Sequence, residues 1–241
     1  MCTVTIIPKG ENDFVLTSNR DEAPNRISLV PDFYNINGVN LLFPKDEVAG
    51  GTWVGVTEKN RVVCVLNGGY INHKRQPKYR LSRGVVVKDF MIADVIENVL
   101  ETYNLIDIEP FTMVIIDWNS TLKFYELVWD GTKKHVTLLP NEPKIWSSST
   151  LYNDTMKKER LHWFNTFKAE NKLDENSLLE FHKSAGKNNI DYGVVMDRGF
   201  VKTTSITQIK KVDDVVDMRF DSLLNKTVTE KVFKLPQIVN E

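Results

Sequence analysis

The chain has 241 residues, of which 41% are hydrophobic and 26% are charged, and its formal net charge at pH 7 is -1. This composition is ordinary for a globular protein with a sizeable core, and the small net charge excludes a global attraction to nucleic acid or to an anionic membrane. The only cysteines, Cys2 and Cys64, exclude a disulfide scaffold. No apolar run approaches the roughly 20 residues that span a bilayer, and no secretory signal is visible. We therefore predict a cytoplasmic protein with no transmembrane segment and no nucleic-acid partner.

The first third of the chain is rich in predicted strands. Residues 3–8 and 13–18 have the pattern of two strands joined by a short turn. Residues 22–50 are rich in Pro, Asn and Asp, which predicts a loop with short strand pieces. Residues 52–56 and 61–66 then form a predicted hairpin. The second of these strands is apolar on both faces, which predicts a sheet that is covered on both sides.

The rest of the chain alternates helices with further strands. A helix is predicted over residues 85–103, and two more over residues 153–170 and 174–184. Additional strands are predicted near residues 111–117, 122–129, 135–139, 145–146, 201–209, 212–219 and 228–235. Short turns join most of these strands, so we expect antiparallel pairing. Helical layers on both faces of a pair of antiparallel sheets, within a single domain of residues 1–241, fit this order.

The strongest candidate for chemistry is Cys2, at the head of the first predicted strand. Removal of Met1 by an aminopeptidase would leave Cys2 with a free α-amine, whose pKa near 8 suits a general base. Arg20 follows the second strand and would favour the thiolate, and Asp21 would hold the α-ammonium. In the alternative interpretation Cys2 is a small core residue and the charged cluster is a solvated turn.

Five short motifs together resemble one known family. They are Met1-Cys2-Thr3, residues 18–22 (SNRDE), residues 50–56 (GGTWVGV), residues 65–67 (VLN) and residues 82–84 (SRG). This set resembles the NRDE family, the family of the transport and Golgi organisation 2 protein. The family takes its name from the tetrad that is present here as Asn19-Arg20-Asp21-Glu22.

The resemblance implies both a fold and a site. The NRDE family is similar to N-terminal nucleophile (Ntn) hydrolases of the choloylglycine hydrolase and penicillin acylase branch, which implies an α+β, four-layer αββα sandwich. In that branch the nucleophile matches Cys2, the arginine and aspartate match Arg20 and Asp21, and an oxyanion-binding asparagine matches Asn67. A side-chain amide in that role contributes on the order of 3 kcal/mol. Ser148 stands where the branch has a second asparagine.

Further residues are predicted to bind substrate. Besides Ser148, they are Asn19, Glu22, Trp53 and Arg83. Trp53 would line a pocket, although a strand tryptophan is more often part of a core. Arg83 ends a basic run, residues 73–83, that would bind a phosphate or carboxylate group, such as that of a nucleotide-tailed acyl thioester. The alternative for this run is a solvated loop.

Other chemistries find little support in the sequence. The histidines His73, His135, His162 and His182 lack ligand spacing, so we predict neither a metal site nor a cofactor. Cys64, between valines, is predicted to be inert core.

The favoured function is hydrolysis of a small-molecule substrate at a non-peptide C–N amide or related acyl bond. The alternative implied by the resemblance is a non-catalytic binder or carrier of a hydrophobic anionic ligand such as acyl-CoA, lipid or haem. A pure interaction protein is a third reading, and the oligomeric state stays open.

Overall fold

A computed structural model describes residues 3–234 of the chain. The predicted nucleophile Cys2 therefore lies outside the described residues. Along the chain the elements are β1 (Thr3–Lys9), β2 (Asp13–Glu22), β3 (Ser28–Ile36), β4 (Val39–Asp46), β5 (Val54–Thr57), β6 (Arg61–Asn67), α1 (Arg83–Ile92), α2 (Ile96–Thr102), β7 (Phe111–Asp117), β8 (Lys123–Trp129), β9 (Lys134–Leu139), β10 (Lys144–Ser147), α3 (Asp154–Glu170), α4 (Glu175–Ser184), β11 (Lys202–Val212), β12 (Val215–Ser222) and β13 (Thr227–Lys234).

The strands form two antiparallel sheets. Sheet A has the order β10-β1-β2-β11-β12-β13, and sheet B runs from β3 to β9 in chain order. Helices α3 and α4 pack on sheet A, and α1 packs on β5 and β6 of sheet B. The two sheets face each other between these helical layers, which confirms the predicted αββα sandwich. None of the helices α1 to α4 within residues 3–234 has the length and hydropathy that a transmembrane span requires.

Side-chain alternation along each strand divides the core into two parts. Val4 and Ile6 of β1 belong to the large cluster between the sheets, whereas Ile7 belongs to a smaller cluster under α3 and α4. The same period of two separates Leu16 from Val15 on β2. Strand β6 is buried along almost its whole length, because α1 covers one face and sheet A the other. This confirms the prediction of a strand covered on both sides.

The prediction of a loop with short strand pieces over residues 22–50 understated the strands. Strands β3 and β4 form a hairpin there, with a two-residue turn at Asn37 and Gly38, whose φ angles are 52° and 84°. A turn with positive φ at both central residues matches the twist of its flanking strands, and Asn-Gly is its preferred sequence. The high Pro, Asn and Asp content of the region favoured a loop, so the hairpin was not predicted.

The predicted helix over residues 85–103 is two helices, and a buried arginine stands at the break. The Arg61 side chain donates from Nη1 to the carbonyl oxygens of Phe90 (2.8 Å) and Ala93 (2.7 Å), where α1 ends. Its Nε donates to Asp117 Oδ2 at 2.8 Å. A cation suits the last carbonyls of a helix, which carry partial negative charge. Arg61 therefore ties the end of α1 to sheet B.

A buried histidine ties α4 to sheet A in a similar way. Asn19 donates from Nδ2 to the carbonyl oxygens of His182 (3.0 Å) and Val194 (2.6 Å), so its Oδ1 is the acceptor that contacts His182 Nδ1 at 2.5 Å. His182 Nδ1 therefore carries the proton, and Nε2 accepts from the Thr5 hydroxyl at 2.7 Å. Burial, with the charge of Arg160 adding to it, lowers the pKa of His182 to about 3.

Replacement of the buried arginine should destabilise the fold strongly. We expect Arg61→Met to lower the free energy of unfolding by about 3–5 kcal/mol, because Asp117 keeps its charge in a buried position without its partner. Urea denaturation measures this change. Lys59→Met is the matched control, since it removes the exposed ion pair with Asp94 and should cost far less. Equal denaturation midpoints for the two variants would contradict the assignment.

The neutral histidine should make the fold sensitive to acid. Below about pH 6.5 the unfolded chain binds a proton at residue 182 that the folded chain excludes, so the free energy of unfolding falls as the pH drops toward 3. The slope approaches about 1.4 kcal/mol per pH unit. Urea unfolding at pH 7, 6 and 5 should show the stability of the unsubstituted chain falling toward that of His182→Gln. Parallel pH profiles for the two proteins would rule out this role.

Candidate active site

The Asn19-Arg20-Asp21-Glu22 tetrad lies within β2. The sequence pattern predicts a strand that ends at residue 18, directly before the tetrad. Strand β2 runs to Glu22 because β11 pairs with it along the tetrad, with Lys202 opposite Glu22. Successive side chains of a strand point to opposite faces. Arg20 and Glu22 therefore line a cavity on the sheet B side, whereas Asn19 and Asp21 contact residues on the helix side.

The cavity has a volume of about 320 Å³ and collects several of the predicted site residues. Trp53, Asn67 and Arg83 line it together with Arg20 and Glu22. These five residues come from β2, the segments around β5 and β6, and the start of α1. The fold thus brings one aromatic ring, one amide and both signs of charge to a single space.

Arg20 is buried and held in place by Asp46, an acid that no motif of the sequence indicates. Its Nη2 donates to Asp46 Oδ2 at 2.7 Å, and Arg26 Nε donates to the same oxygen at 2.7 Å. Glu22 lies 3.8 Å from Arg20 Nη2, and the guanidinium stacks over the Trp53 ring at 4.7 Å. Burial lowers the pKa of Arg20, and Glu22 and Asp46 oppose that shift. Asp46 ends β4, which lies in the region predicted as a loop with short strand pieces.

Arg83 stands where α1 begins and is also paired. Ser82 caps this helix, because its Oγ accepts from the backbone amide of Val85. Arg83 Nη2 lies 3.1 Å from Glu109 Oε2, and Nη1 donates to the Pro110 carbonyl at 3.3 Å. Burial lowers the pKa of Arg83, and the Glu109 carboxylate counteracts part of this effect. Arg83 is therefore an anchored cation in the cavity wall.

Two more cations of the basic run lie at the cavity. Arg75 and Lys78 line the cavity, and Arg75 is 79% exposed. His73 is not among the cavity-lining residues, and its Nε2 lies 3.4 Å from Glu109 Oε1. The run is therefore partly paired with one carboxylate and partly solvated, and its binding of a phosphate or carboxylate group of a ligand stays a prediction.

Asn67 and Ser148 occupy different positions relative to the cavity. Asn67 ends β6 and lines the cavity. Ser148 is buried, and its hydroxyl donates to the Asn67 carbonyl oxygen at 2.7 Å and contacts Thr150 Oγ1 at 2.9 Å. Ser148 thus supports the backbone of Asn67 from behind and is not part of the described cavity wall.

Asp21 is buried between two hydroxyl groups on the helix side. The Tyr152 hydroxyl donates to Oδ2 at 2.6 Å, and the Thr203 hydroxyl donates to Oδ1 at 2.5 Å. Neither partner is indicated by the sequence, because each is more than 100 residues from Asp21 along the chain. Asn19, which was predicted to bind substrate, uses its amide in the contacts with His182 and Val194 described above.

The second cysteine, Cys64, is fully buried in the core, and burial raises the pKa of its thiol to about 12. A thiol with so high a pKa is a poor nucleophile. Within residues 3–234, no group of His, Cys, Asp and Glu side chains is arranged to hold a metal ion.

Comparison with known structures shows which fold this is. The conjugated bile acid hydrolase of Clostridium perfringens aligns with a TM-score of 0.59 at 12% identity, over 100% of this chain and 99% of that chain. An N-acylethanolamine-hydrolyzing acid amidase ortholog from Caenorhabditis elegans gives 0.59 at 11% identity, over 86% and 92%. Penicillin V acylase from Agrobacterium tumefaciens gives 0.51 at 10%, over 95% and 85%. At these identities the likeness concerns the fold alone.

Comparison with known sequences shows the family. The mouse (Mus musculus) Transport and Golgi organization 2 homolog is 32% identical over 90 residues, which are 36% of this chain and 32% of the mouse protein. The match thus spans about a third of that relative's length. The family model described as Transport and Golgi organisation 2 matches residues 1–228. The chain therefore belongs to the Transport and Golgi organisation 2 family, and its fold is that of the Ntn hydrolases.

Proposed function

We propose that this chain is an N-terminal-cysteine hydrolase that cleaves a non-peptide C–N amide or a related acyl bond of a small molecule. The observation that carries the proposal is the convergence of Arg20, Trp53 and Asn67 on one cavity beside the start of β1. Thr3, the first described residue of β1, pairs with Asn19, the neighbour of Arg20. The residue types that acyl transfer needs are thus gathered close to the beginning of the chain.

In the proposed reaction, Cys2 is the first residue after removal of Met1. Its α-amine takes the thiol proton, and the sulfur attacks the carbonyl carbon of the substrate. The side-chain amide of Asn67 donates to the oxyanion. Collapse of the tetrahedral intermediate breaks the C–N bond, and the α-ammonium returns its proton to the leaving amine. Water then hydrolyses the thioester by the same proton transfers and regenerates the thiol.

Arg20 and Asp21 take different parts in this scheme because they face opposite sides of sheet A. Arg20 faces the cavity, and its pairing with Asp46 keeps the guanidinium oriented while it contributes positive charge near the thiolate. Asp21 faces the helix side, as Thr3 does, and its carboxylate is proposed to hold the α-ammonium. Glu22, Trp53 and Arg83 are the proposed substrate contacts on the cavity wall.

The cationic rim favours a second candidate, a non-catalytic carrier of a hydrophobic anionic ligand such as acyl-CoA, a lipid or haem. Arg75, Lys78 and Arg83 all line the cavity, and the first two are exposed. Exposed cations at a cavity mouth attract an anionic group without requiring catalysis. Under this reading Arg20 and Asp46 are structural, and Cys2 has no reaction to perform.

We also propose that residues 1–241 form one domain, because side chains of both sheets, such as Val4 and Val63, share one continuous core. The chain is also proposed to act in the reducing cytoplasm, since it has only two cysteines and Cys64 is a free, buried thiol.

Thiol labelling tests the proposed nucleophile. An acylating activity-based probe should label the unsubstituted chain at Cys2, after loss of Met1 is verified by intact mass, and should not label Cys2→Ala. Cys64→Ala is the matched control and should be labelled as fast as the unsubstituted chain, because the Cys64 thiol is buried and protonated. Equal labelling of Cys2→Ala, or native protein that retains Met1, would overturn the hydrolase. Copurification of an anionic ligand with no turnover across an amide library would favour the carrier.

Substitution of the cavity asparagine tests the oxyanion role. With an amide that the unsubstituted chain hydrolyses, we expect Asn67→Ala to lower kcat by about 10²–10³, as loss of one oxyanion donor does elsewhere, with a smaller change in KM. Asn35→Ala is the control, since Asn35 is exposed on β3 and outside the cavity. A change confined to KM would assign Asn67 to ground-state binding.

A further inference from the structure

A third buried arginine, Arg160 of α3, contacts the first described residue of β1. Its Nη1 donates to Thr3 Oγ1 at 2.5 Å, its Nε to the Tyr192 carbonyl at 2.9 Å, and its Nη2 to the Gly193 carbonyl at 2.7 Å. The side chain is fully buried, and all three acceptors are neutral. Burial of a guanidinium against neutral acceptors is costly compared with an apolar side chain of similar size. This cost suggests that the position of the charge matters.

Arg160 is linked through an aromatic ring to the carboxylate proposed to hold the amine. The guanidinium carbon lies 3.6 Å from the centroid of the Tyr152 ring. The Tyr152 hydroxyl in turn donates to Asp21, and the Thr203 hydroxyl binds the other oxygen of the same carboxylate. Thr3, Arg160, Tyr152, Asp21 and Thr203 therefore form one connected set of contacts on the helix side of sheet A.

Two points near the start of the chain are fixed by this set. The backbone of Thr3 lies between Asn19 of β2 and Ser147 of β10, and the bond from Arg160 adds a hold on its side chain. Cys2 is joined to Thr3 by a peptide bond, so a hold on Thr3 acts one residue from the proposed nucleophile. Tyr152 holds Asp21 on the neighbouring strand.

We propose that Arg160, acting through Thr3, and Tyr152, acting through Asp21, are positioning residues that orient the N-terminal cysteine. This proposal rests on the function proposed for Cys2. A reacting group that is displaced by about 1 Å can lose on the order of 10² in rate, so a contact one residue away has a measurable effect on the chemistry. Neither residue lines the cavity, so the effect should fall on the reaction rate and not on ligand affinity.

The test is the rate of Cys2 acylation by the same probe, measured over a range of probe concentrations. We expect Arg160→Gln to lower the maximal rate constant by about tenfold or more with an unchanged half-saturation concentration. Tyr152→Phe, which removes only the hydroxyl that binds Asp21, should change the rate in the same direction. Arg198→Gln is the matched control: Arg198 stacks on the same ring at 5.5 Å but donates to the Leu151 and Asp191 carbonyls, away from β1.

A second variant keeps the test valid if Arg160→Gln does not fold. Thr3→Val removes the acceptor and leaves the arginine in place, and it should slow acylation as well. Where both variants fold, the double variant should be acylated no more slowly than Arg160→Gln alone, because both substitutions remove the same hydrogen bond. An unchanged maximal rate in the folded single variants, or a change only in half-saturation, would overturn the positioning role.

Failure of the proposed function would be recognised separately. If Cys2 of the unsubstituted chain is not acylated, the hydrolase is excluded, and backbone amide exchange over β1 decides the structural part. Faster exchange at the start of β1 in Arg160→Gln, but not in Arg198→Gln, would support the hold on Thr3. Equal exchange in the two variants would overturn it.

Discussion

The alternation of side chains along β2 is the constraint on which the site depends. Strand β2 lies inside sheet A, between β1 and β11, so each of its side chains must face either sheet B or the helices. The tetrad is divided accordingly: Arg20 and Glu22 form part of the cavity wall, and Asn19 and Asp21 bind residues of the helical side. One short segment therefore connects the cavity to the helix layer across a single sheet.

Within residues 3–234 three arginines are buried, and each has a different set of partners. Arg20 is paired with Asp46 at the cavity, and Arg61 combines a carboxylate with the final carbonyl oxygens of a helix. Arg160 has neutral acceptors and the face of Tyr152. A buried charge needs compensation, and each form of compensation ties together elements that are far apart in the chain. In this way the arginines tie the end of β2 to β4, the end of α1 to sheet B, and α3 to sheet A.

Much of the fold could be predicted because its signals are local. Hydrophobic period, turn residues and helix caps indicated most strands and the helices after residue 150, and the short motifs indicated the αββα sandwich. The Asn37-Gly38 hairpin was not predicted, although its signal is also local. Because β4 was not predicted in full, Asp46 was not recognised as the partner of Arg20. The break between α1 and α2 could not be predicted, since Arg61, on a different element, binds the end of α1. The role of Cys2 stays a prediction.

By itself, the sequence determined the family motifs, the fold class and the residue types available for acyl transfer, because spacing and composition are properties of the chain alone. Which of those residues share a space follows from the folded arrangement of the strands. Asn67, Trp53 and Arg83 meet Arg20 and Glu22 at the cavity, while Asn19, Asp21 and Ser148 are bonded elsewhere. The physical reason is that a side chain's face and its partners depend on strand register and on neighbours more than 100 residues away. No local pattern in the sequence encodes those contacts.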